Sequence, residues 1–151
     1  MGNFQENFFW SGLKSYPLEP EVFQTWQIDP DIQAFLGQIQ GETVVYAEWM
    51  LNPDLGELEI MRLIVAPEHR GKGVGKAFLQ SLLKQVSELE ASFPYRAAYA
   101  RIFPQNDAAQ RCFSGAGFDR VSPEREAHFN QWDSVDFVWL EHFLQVEAIA
   151  S

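Results

Sequence analysis

Residues 58–76, Leu-Glu-Ile-Met-Arg-Leu-Ile-Val-Ala-Pro-Glu-His-Arg-Gly-Lys-Gly-Val-Gly-Lys, constrain the fold more than any other stretch of the chain. The apolar, β-branched run over 60–65 reads as a strand that stops at Pro67. Glu68-His69-Arg70 leads into Gly71, Gly73 and Gly75, and an amphipathic helix follows at once. Strand, glycine-rich turn and helix start are the parts of a phosphate-binding site. The first N–H groups of a helix have no intrahelical partner, the helix dipole is positive there, and glycine allows a phosphate to approach closely.

The rest of the chain supplies neighbours for that unit. Residues 1–20 are aromatic but irregular, broken by Gly12, Pro17 and Pro20. A short helix is predicted over 21–27, where Val22, Phe23 and Trp26 share a face and Asp29-Pro30 stops it. Residues 32–40 read as a strand, Gly41-Glu42 as a two-residue hairpin turn, and residues 43–51 as the return strand. A turn cluster over 52–56 then leads into the central stretch. After the glycines, Val74, Ala77, Phe78, Leu82, Val86 and Leu89 follow the spacing of a one-faced helix, predicted to end near Ser92-Phe93-Pro94. Residues 95–103 alternate as a strand, and Asn106 is a good N-cap for a helix over 107–115. An extended segment is predicted from Gly117-Phe118 to about Phe129, turning at Ser122-Pro123, with a last strand over 135–143. The order β-β-β-α-β-α-β-β, with a small helix in front, predicts one mixed sheet covered by helices, an α/β (α+β) class.

At 151 residues, 46% of them hydrophobic, the chain is expected to be a single folded domain, 1–151, rather than a disordered one. A single cysteine, Cys112, leaves no internal disulfide, and the N-terminus lacks the basic and apolar regions of a signal peptide. Both favour a cytoplasmic setting. No apolar run reaches the ~20 residues that span a bilayer. With 21 acids against 11 bases the formal charge is −10, which disfavours nucleic acid and anionic membranes as partners. The same field would suit a cationic amine, although acidity also serves solubility alone.

Three glycine motifs compete for the central stretch. A dinucleotide fingerprint requires Gly-x-Gly-x-x-Gly, but Lys76 holds the third position. A P-loop requires Gly-Lys followed by Ser or Thr, and Gly71-Lys72 is followed by Gly73. What remains is Val65-x-Pro67-x-x-Arg70-Gly71-x-Gly73-x-Gly75, which resembles the acetyl-CoA-binding motif of the GNAT superfamily of N-acetyltransferases, with its core Arg/Gln-x-x-Gly-x-Gly/Ala. Downstream, Asn106-x-x-Ala109, then Phe113 and Gly117-Phe118, is similar to the family's second signature, Asn-x-x-Ala-x-x-x-Tyr-x-x-x-Gly-Phe. The resemblance covers about residues 32–141, with an abbreviated N-terminal region over about 1–30. It implies a GNAT-like domain whose mixed, mostly antiparallel sheet splays between two strands.

The resemblance also implies a chemistry. The pyrophosphate of acetyl-CoA would lie on the N–H groups of Gly71, Lys72, Gly73, Val74, Gly75 and Lys76, with Arg70 as a nearby cation. Pantetheine would bond the strand backbone at Leu63, Ile64 and Val65, and the Val65 N–H would polarise the thioester carbonyl as it becomes an oxyanion. Asn106 would contact the cofactor, and an N-cap role is compatible with that. An attacking amine must be neutral, so a base is required. Glu59 falls where several members place one, with Glu57 on the same face; a solvated surface role is the other reading. Phe113 stands where the family commonly has a Tyr that protonates the departing thiolate, and Phe has no proton to give. A thiolate of pKa ~8.5 is a fair leaving group without that help. Tyr99 is a second candidate acid, or an ordinary core residue.

Other residues carry less. His69, beside Arg70, reads first as a solvated loop residue, with contact to phosphate as the other reading; His128 and His142 stand alone in strand-like segments, and no His/Cys/Asp spacing suggests a metal. Cys112 reads as a small buried hydrophobe. Tyr46, Trp49, Phe103 and Trp132 read as core or cleft wall, and Glu48, Asp133 and Asp136 as acids that could steer a cationic acceptor. The leading expectation is an acetyl-CoA-dependent N-acetyltransferase, with no metal, acting by direct attack in a ternary complex on an amine-bearing small molecule or peptide. A non-catalytic acyl-CoA-binding sensor and a protein N-terminal or lysine acetyltransferase are the alternatives, and the C-terminal strands could pair across a homodimer.

Overall fold

The computed structural model describes residues 31–89 and 94–144. In chain order the elements are β1 (Ile32–Ile39), β2 (Glu42–Asn52), β3 (Glu57–Val65), a 3-10 turn (Pro67–His69), α1 (Val74–Val86), β4 (Ala97–Ile102), α2 (Asp107–Gly115), β5 (Asp119–Arg120), α3 (Pro123–Asn130) and β6 (Val138–Phe143). The strands form one six-stranded sheet in the order β1-β2-β3-β4-β6-β5. All neighbours are antiparallel except β3 and β4. Parallel neighbours require a crossover, and α1 provides it.

One face of the sheet carries Ala47, Trp49, Leu58, Ile60, Ala98, Ala100, Ile102, Val138 and Leu140 into the core, where they meet Leu79, Leu82, Leu83 and Val86 of α1. Trp49 is fully buried; its indole N–H donates to Gln33 Oε1 (2.9 Å), and Phe35 packs edge-on against it. Phe113 of α2 and Phe118 meet edge to face with centroids 5.1 Å apart. The Phe118 N–H donates to Phe113 O, and Gly117, at φ 103°, makes the reversal that only glycine tolerates well. Gly117-Phe118 therefore closes α2 and anchors it, while the strand itself is only the two residues of β5.

Several element boundaries differ from the sequence reading; β4, read over 95–103, spans Ala97–Ile102. The hairpin turn is Gln40-Gly41, both at positive φ (51° and 80°), and Glu42 already belongs to β2. Positive φ at both central positions matches the twist of an antiparallel hairpin, and that places the turn one residue earlier. The α1 helix closes at Val86, capped at Ser87, although the apolar spacing continues to Leu89. The last strand starts at Val138, not at residue 135. The largest difference is α3, which replaces the second half of the expected extended segment. Ser122 accepts a hydrogen bond from the Arg125 N–H (3.3 Å) and Pro123 occupies the first helical position. Ser-Pro followed by acids is thus a helix start here rather than a strand-to-strand turn. The order among described residues is β-β-β-α-β-α-β-α-β. The helix expected over 21–27 lies outside the described residues.

Two substitutions separate core from cap. Phe118→Ala is expected to destabilise the protein by ~3–5 kcal/mol and Ser122→Ala by ~1 kcal/mol, measured as urea unfolding midpoints at constant m-value. Equal effects would show that Phe118 does not anchor α2.

Candidate active site

The parallel pairing of β3 with β4 covers only Glu57 to Glu59 against Ala97 to Tyr99. Beyond that point the strands part. On its other side β3 stays paired to β2, but with a slip: Tyr46 faces Ile64, whereas Glu48 faces Met61. The extra residue on β3 is a bulge, and Arg62 within it adopts φ 52°. The Ala66 N–H donates to Val44 O (2.7 Å), so Ala66 faces β2. Strand alternation then turns the peptide groups of Leu63 and Val65 toward the gap. Arg70 Nε donates to Val65 O (2.9 Å) from that side.

The gap opens into a cleft of about 560 Å³, lined by Leu63, Ile64 and Val65, the turn from His69 to Lys76, and α2. The three glycines divide into two roles. Gly71 (φ 74°) and Gly73 (φ 79°) take left-handed conformations, and nothing lies within 4 Å of where a Cβ would stand. They shape the turn and leave its backbone open to approach. Gly75 is in the helix, where a Cβ would come 2.7 Å from Cys112 Sγ and 3.3 Å from Val65 Cγ2. It lets α1 lie close against α2 and β3. Gly73 caps α1 without a side-chain hydrogen bond, so the first-turn N–H groups meet the cleft at the positive end of the helix dipole.

Of the residues anticipated at a cofactor site, Leu63, Ile64, Val65, Arg70, Gly71, Gly73, Val74, Gly75, Lys76 and Asn106 line this cleft. Lys72 is exposed and is not among its walls. Phe113 is buried behind it and lines a 40 Å³ recess at the base of the splay with Met61, Arg62, Leu63, Arg101 and Asn106. Asn106 Oδ1 accepts from the Ala109 N–H (3.2 Å), so one side chain both caps α2 and faces the cleft. His69, Arg111 and Cys112 also form walls, beyond what the motifs indicated. Helical spacing held the signal for two of them, since residues 108, 111 and 112 share one face of α2. Cys112 is half-buried, and burial pushes its thiol pKa up, which keeps it protonated and a poor nucleophile.

The opposite face of the sheet is polar, and Glu48, Glu59 and Glu141 on it are each paired with an arginine. Glu59 accepts from Arg101 through both oxygens, at 2.7 Å from Nε and 3.0 Å from Nη2. The Arg101 guanidinium stacks over the Trp139 ring at 4.7 Å and reaches Asp133 at 3.5 Å. Glu48 is fully buried, bonded by Arg62 Nη1 (2.6 Å) and the Tyr46 hydroxyl (2.9 Å). Sealed in this way, Glu48 cannot steer an acceptor; Asp136 is exposed and Asp133 half-buried. Tyr99 accepts from Arg125 Nη2 (3.3 Å), and Arg125 also bonds Glu141 (2.7 Å). Burial, then the Glu57 charge, raises the Tyr99 pKa. The α3 helix covers this face through Phe129, which packs against Tyr99 and Trp139. Trp132, expected in core or cleft wall, is 88% exposed, because it lies in the turn after α3 rather than on a strand. His128 sits on α3, not on a strand, and His142 Nδ1 lies 2.9 Å from Gly117 O. Among the described residues no group of three or more His, Cys, Asp or Glu could hold a metal, and no helix is long and apolar enough to cross a membrane.

Comparison with known proteins agrees with this architecture. Among curated proteins none matches the sequence. The GNAT domain of the S. lividans protein PAT superposes with a TM-score of 0.72 at 17% identity, over 94% of this chain and 78% of that one. Spermidine N-acetyltransferase from Vibrio cholerae, solved with CoA and spermine, gives 0.68 at 19% identity, over 94% and 84%. The aminoglycoside acetyltransferase AAC(6')-Ib, solved with coenzyme A and kanamycin, gives 0.60 at 18% identity, over 82% and 71%. At these identities the likeness speaks for the fold. The model of the acetyltransferase (GNAT) family matches residues 4–118, well over half of the sequence, and the chain therefore belongs to the GNAT acetyltransferase family.

Proposed function

We propose that this protein transfers an acetyl group from acetyl-CoA to a primary amine, by direct attack within a ternary complex. The observation that carries the reading is the parting of β3 and β4 beyond Glu59 and Tyr99, directly above an open glycine turn at a helix N-terminus. A pantetheine chain fits between strands that no longer pair, and a pyrophosphate fits the N–H groups of residues 71–76, with Arg70 and Lys76 as cations beside it. Lys72, exposed on the turn, would contribute charge alone.

In this reading the backbone of Leu63 and Val65 bonds the pantetheine, Ile64, paired to Tyr46 of β2, lines the cleft beside it, and the Val65 N–H donates to the thioester oxygen. The amine nitrogen attacks the carbonyl carbon, the C–S bond breaks, and CoA leaves as the thiolate. The oxygen gains charge during attack, so a fixed donor stabilises the transition state more than the ground state. Phe113 brings an apolar wall and no proton, so the thiolate is protonated from solvent. Glu59 is the base; each of its oxygens accepts one bond from Arg101, and a shift of Arg101 off one of them would open that oxygen to the amine proton. Asp133, already facing Arg101 Nη1, offers the guanidinium a second anchor for that movement. Glu57, next along the same face, is the lesser candidate.

The acceptor in this reading is a small or cationic amine. The net charge of −10 supports it, and so do the ligands of two structural relatives, spermine and kanamycin. A protein acceptor is the alternative, since the ribosomal-protein-S18-alanine N-acetyltransferase from Escherichia coli shares the fold at a TM-score of 0.65. A second reading, an acyl-CoA-binding sensor without turnover, is favoured by Phe113 and by the engagement of both Glu59 oxygens. A single chain domain, a cytoplasmic setting and pairing of two copies through the C-terminal strands belong to the same proposal.

Thiol release from acetyl-CoA with a panel of amines tests the activity, and steady turnover with any amine would eliminate the sensor. CoA at 100 times its Kd is expected to stabilise the protein by ~2.7 kcal/mol; no stabilisation would sink both readings. Gly73→Val is expected to weaken CoA binding by ~10-fold or more in calorimetry, because a β-branched residue resists φ 79° and crowds the turn. For Glu59→Gln, kcat/KM is expected to fall ~100-fold and the acidic limb of its pH profile to disappear. An unchanged rate and profile would remove Glu59 as base.

A further inference from the structure

The bulge in β3 is held by a buried charge. Arg62 adopts φ 52°, a left-handed conformation that L-residues other than Gly, Asn and Asp rarely take. Its guanidinium meets Glu48 Oε2 at 2.6 Å, and the Tyr46 hydroxyl donates to Glu48 Oε1 at 2.9 Å. Glu48 is 1% exposed, so its charge depends on these donors. The placement is specific to the slip in register. Tyr46 faces Ile64 on one side of it and Glu48 faces Met61 on the other, so the two acceptor-strand partners flank the point where the extra β3 residue is inserted. Arg62 is that insertion's left-handed residue. Continuing the Glu48–Met61 register through the next residue would set Arg62 opposite Ala47, on the apolar face of the sheet, and leave Glu48 buried without its cation.

The consequence lies one residue further on. Leu63 and Val65 direct their peptide groups into the gap only because the bulge has advanced β3 by one residue. Hydrogen bonds weaken steeply as their angle departs from linear, and an oxyanion donor acts only when it is aimed at the oxygen before the reaction begins.

We propose that Glu48, Arg62 and Tyr46 are positioning residues that lock the β3 bulge, so that the Val65 N–H points at the acyl carbonyl and the Leu63 peptide group at the pantetheine beside it. None of the three needs to touch the acetyl group. Their contribution is to the angle of the donors, while the pyrophosphate half of the site, built on residues 71–76, stands apart from the bulge. The proposal rests on acetyl-CoA occupying the cleft.

The test compares the parent protein with Arg62→Met, Arg62→Lys and the double variant Glu48→Met/Arg62→Met. The double variant removes both charges, so a buried unpaired carboxylate cannot unfold it. CoA affinity is measured by calorimetry, kcat and the KM for acetyl-CoA by thiol release, and the carbonyl by the 13C resonance of bound [1-13C]acetyl-CoA. Arg62→Met and the double variant are expected to bind CoA within ~3-fold of the parent, to lose ~10-fold or more in kcat, and to show a smaller downfield carbonyl shift on binding. Arg62→Lys is expected to recover part of both. An unchanged kcat and carbonyl shift would overturn the proposal, and so would a loss of CoA affinity in parallel with kcat, since that marks a merely structural pair. If the parent binds acetyl-CoA but acetylates no amine, the acetyltransferase reading fails and the carbonyl shift alone decides the role of the pair. If the parent binds no acetyl-CoA, both fail together.

Discussion

The brevity of the β3–β4 contact is the constraint on which the rest of the structure depends. A parallel pair that continued past Glu59 and Tyr99 would consume the outward peptide groups of β3, those that β2 does not bond, and the sheet would have no opening. Because pairing stops there, the peptide groups not bonded to β2, those of Leu63 and Val65, face a gap that a linear polar chain can enter. The glycine turn then sits at the mouth of the gap because β3 runs directly into it. Gly75 keeps α1 close enough to β3 and α2 for the helix N-terminus to overlook the cleft. Opening, cradle and helix end are consequences of one divergence.

The electrostatics of the two faces differ in kind. The face of the sheet covered by α1 and α2 is apolar, and the cleft at its edge carries cations, Arg70, Lys76 and Arg111, suited to phosphate. On the opposite face and on α3 above it, four acids meet arginines: Glu48 with Arg62, Glu59 with Arg101, Glu141 with Arg125 and Glu126 with Arg120. The exposed members of this set contribute little to stability, and their value is in holding side-chain geometry. Glu48 differs, because a sealed carboxylate dictates where its partner can be. The net negative charge of the chain is therefore not the field that the phosphates of the donor would meet.

Much of the donor side was legible along the chain. Residues 60–76 carry strand, stop, turn and helix as local chemistry, and Asn106 with Ala109 carries a cap whose bond spans three residues. The α3 helix was not legible because Pro123 and Ser122 serve equally in a turn and at a helix start, and its apolar residues, Ala127 and Phe129, do not mark a face. Trp132 misled for a related reason: its aromatic character suggests burial, but its place after α3 leaves it in solvent.

The sequence by itself determined the strand–glycine–helix unit, the cap at Asn106 and the family, since each rests on residues within a few positions of one another. Only the tertiary structure decided which acids are engaged. Glu59 meets Arg101 from 42 residues away, and Glu48 meets Arg62 from 14, across strands whose register slips at a bulge that no local pattern announces. Periodicity specifies the face on which a side chain stands, but a hydrogen-bond partner on another strand is selected by sheet order and register, and these are settled only when the whole core packs.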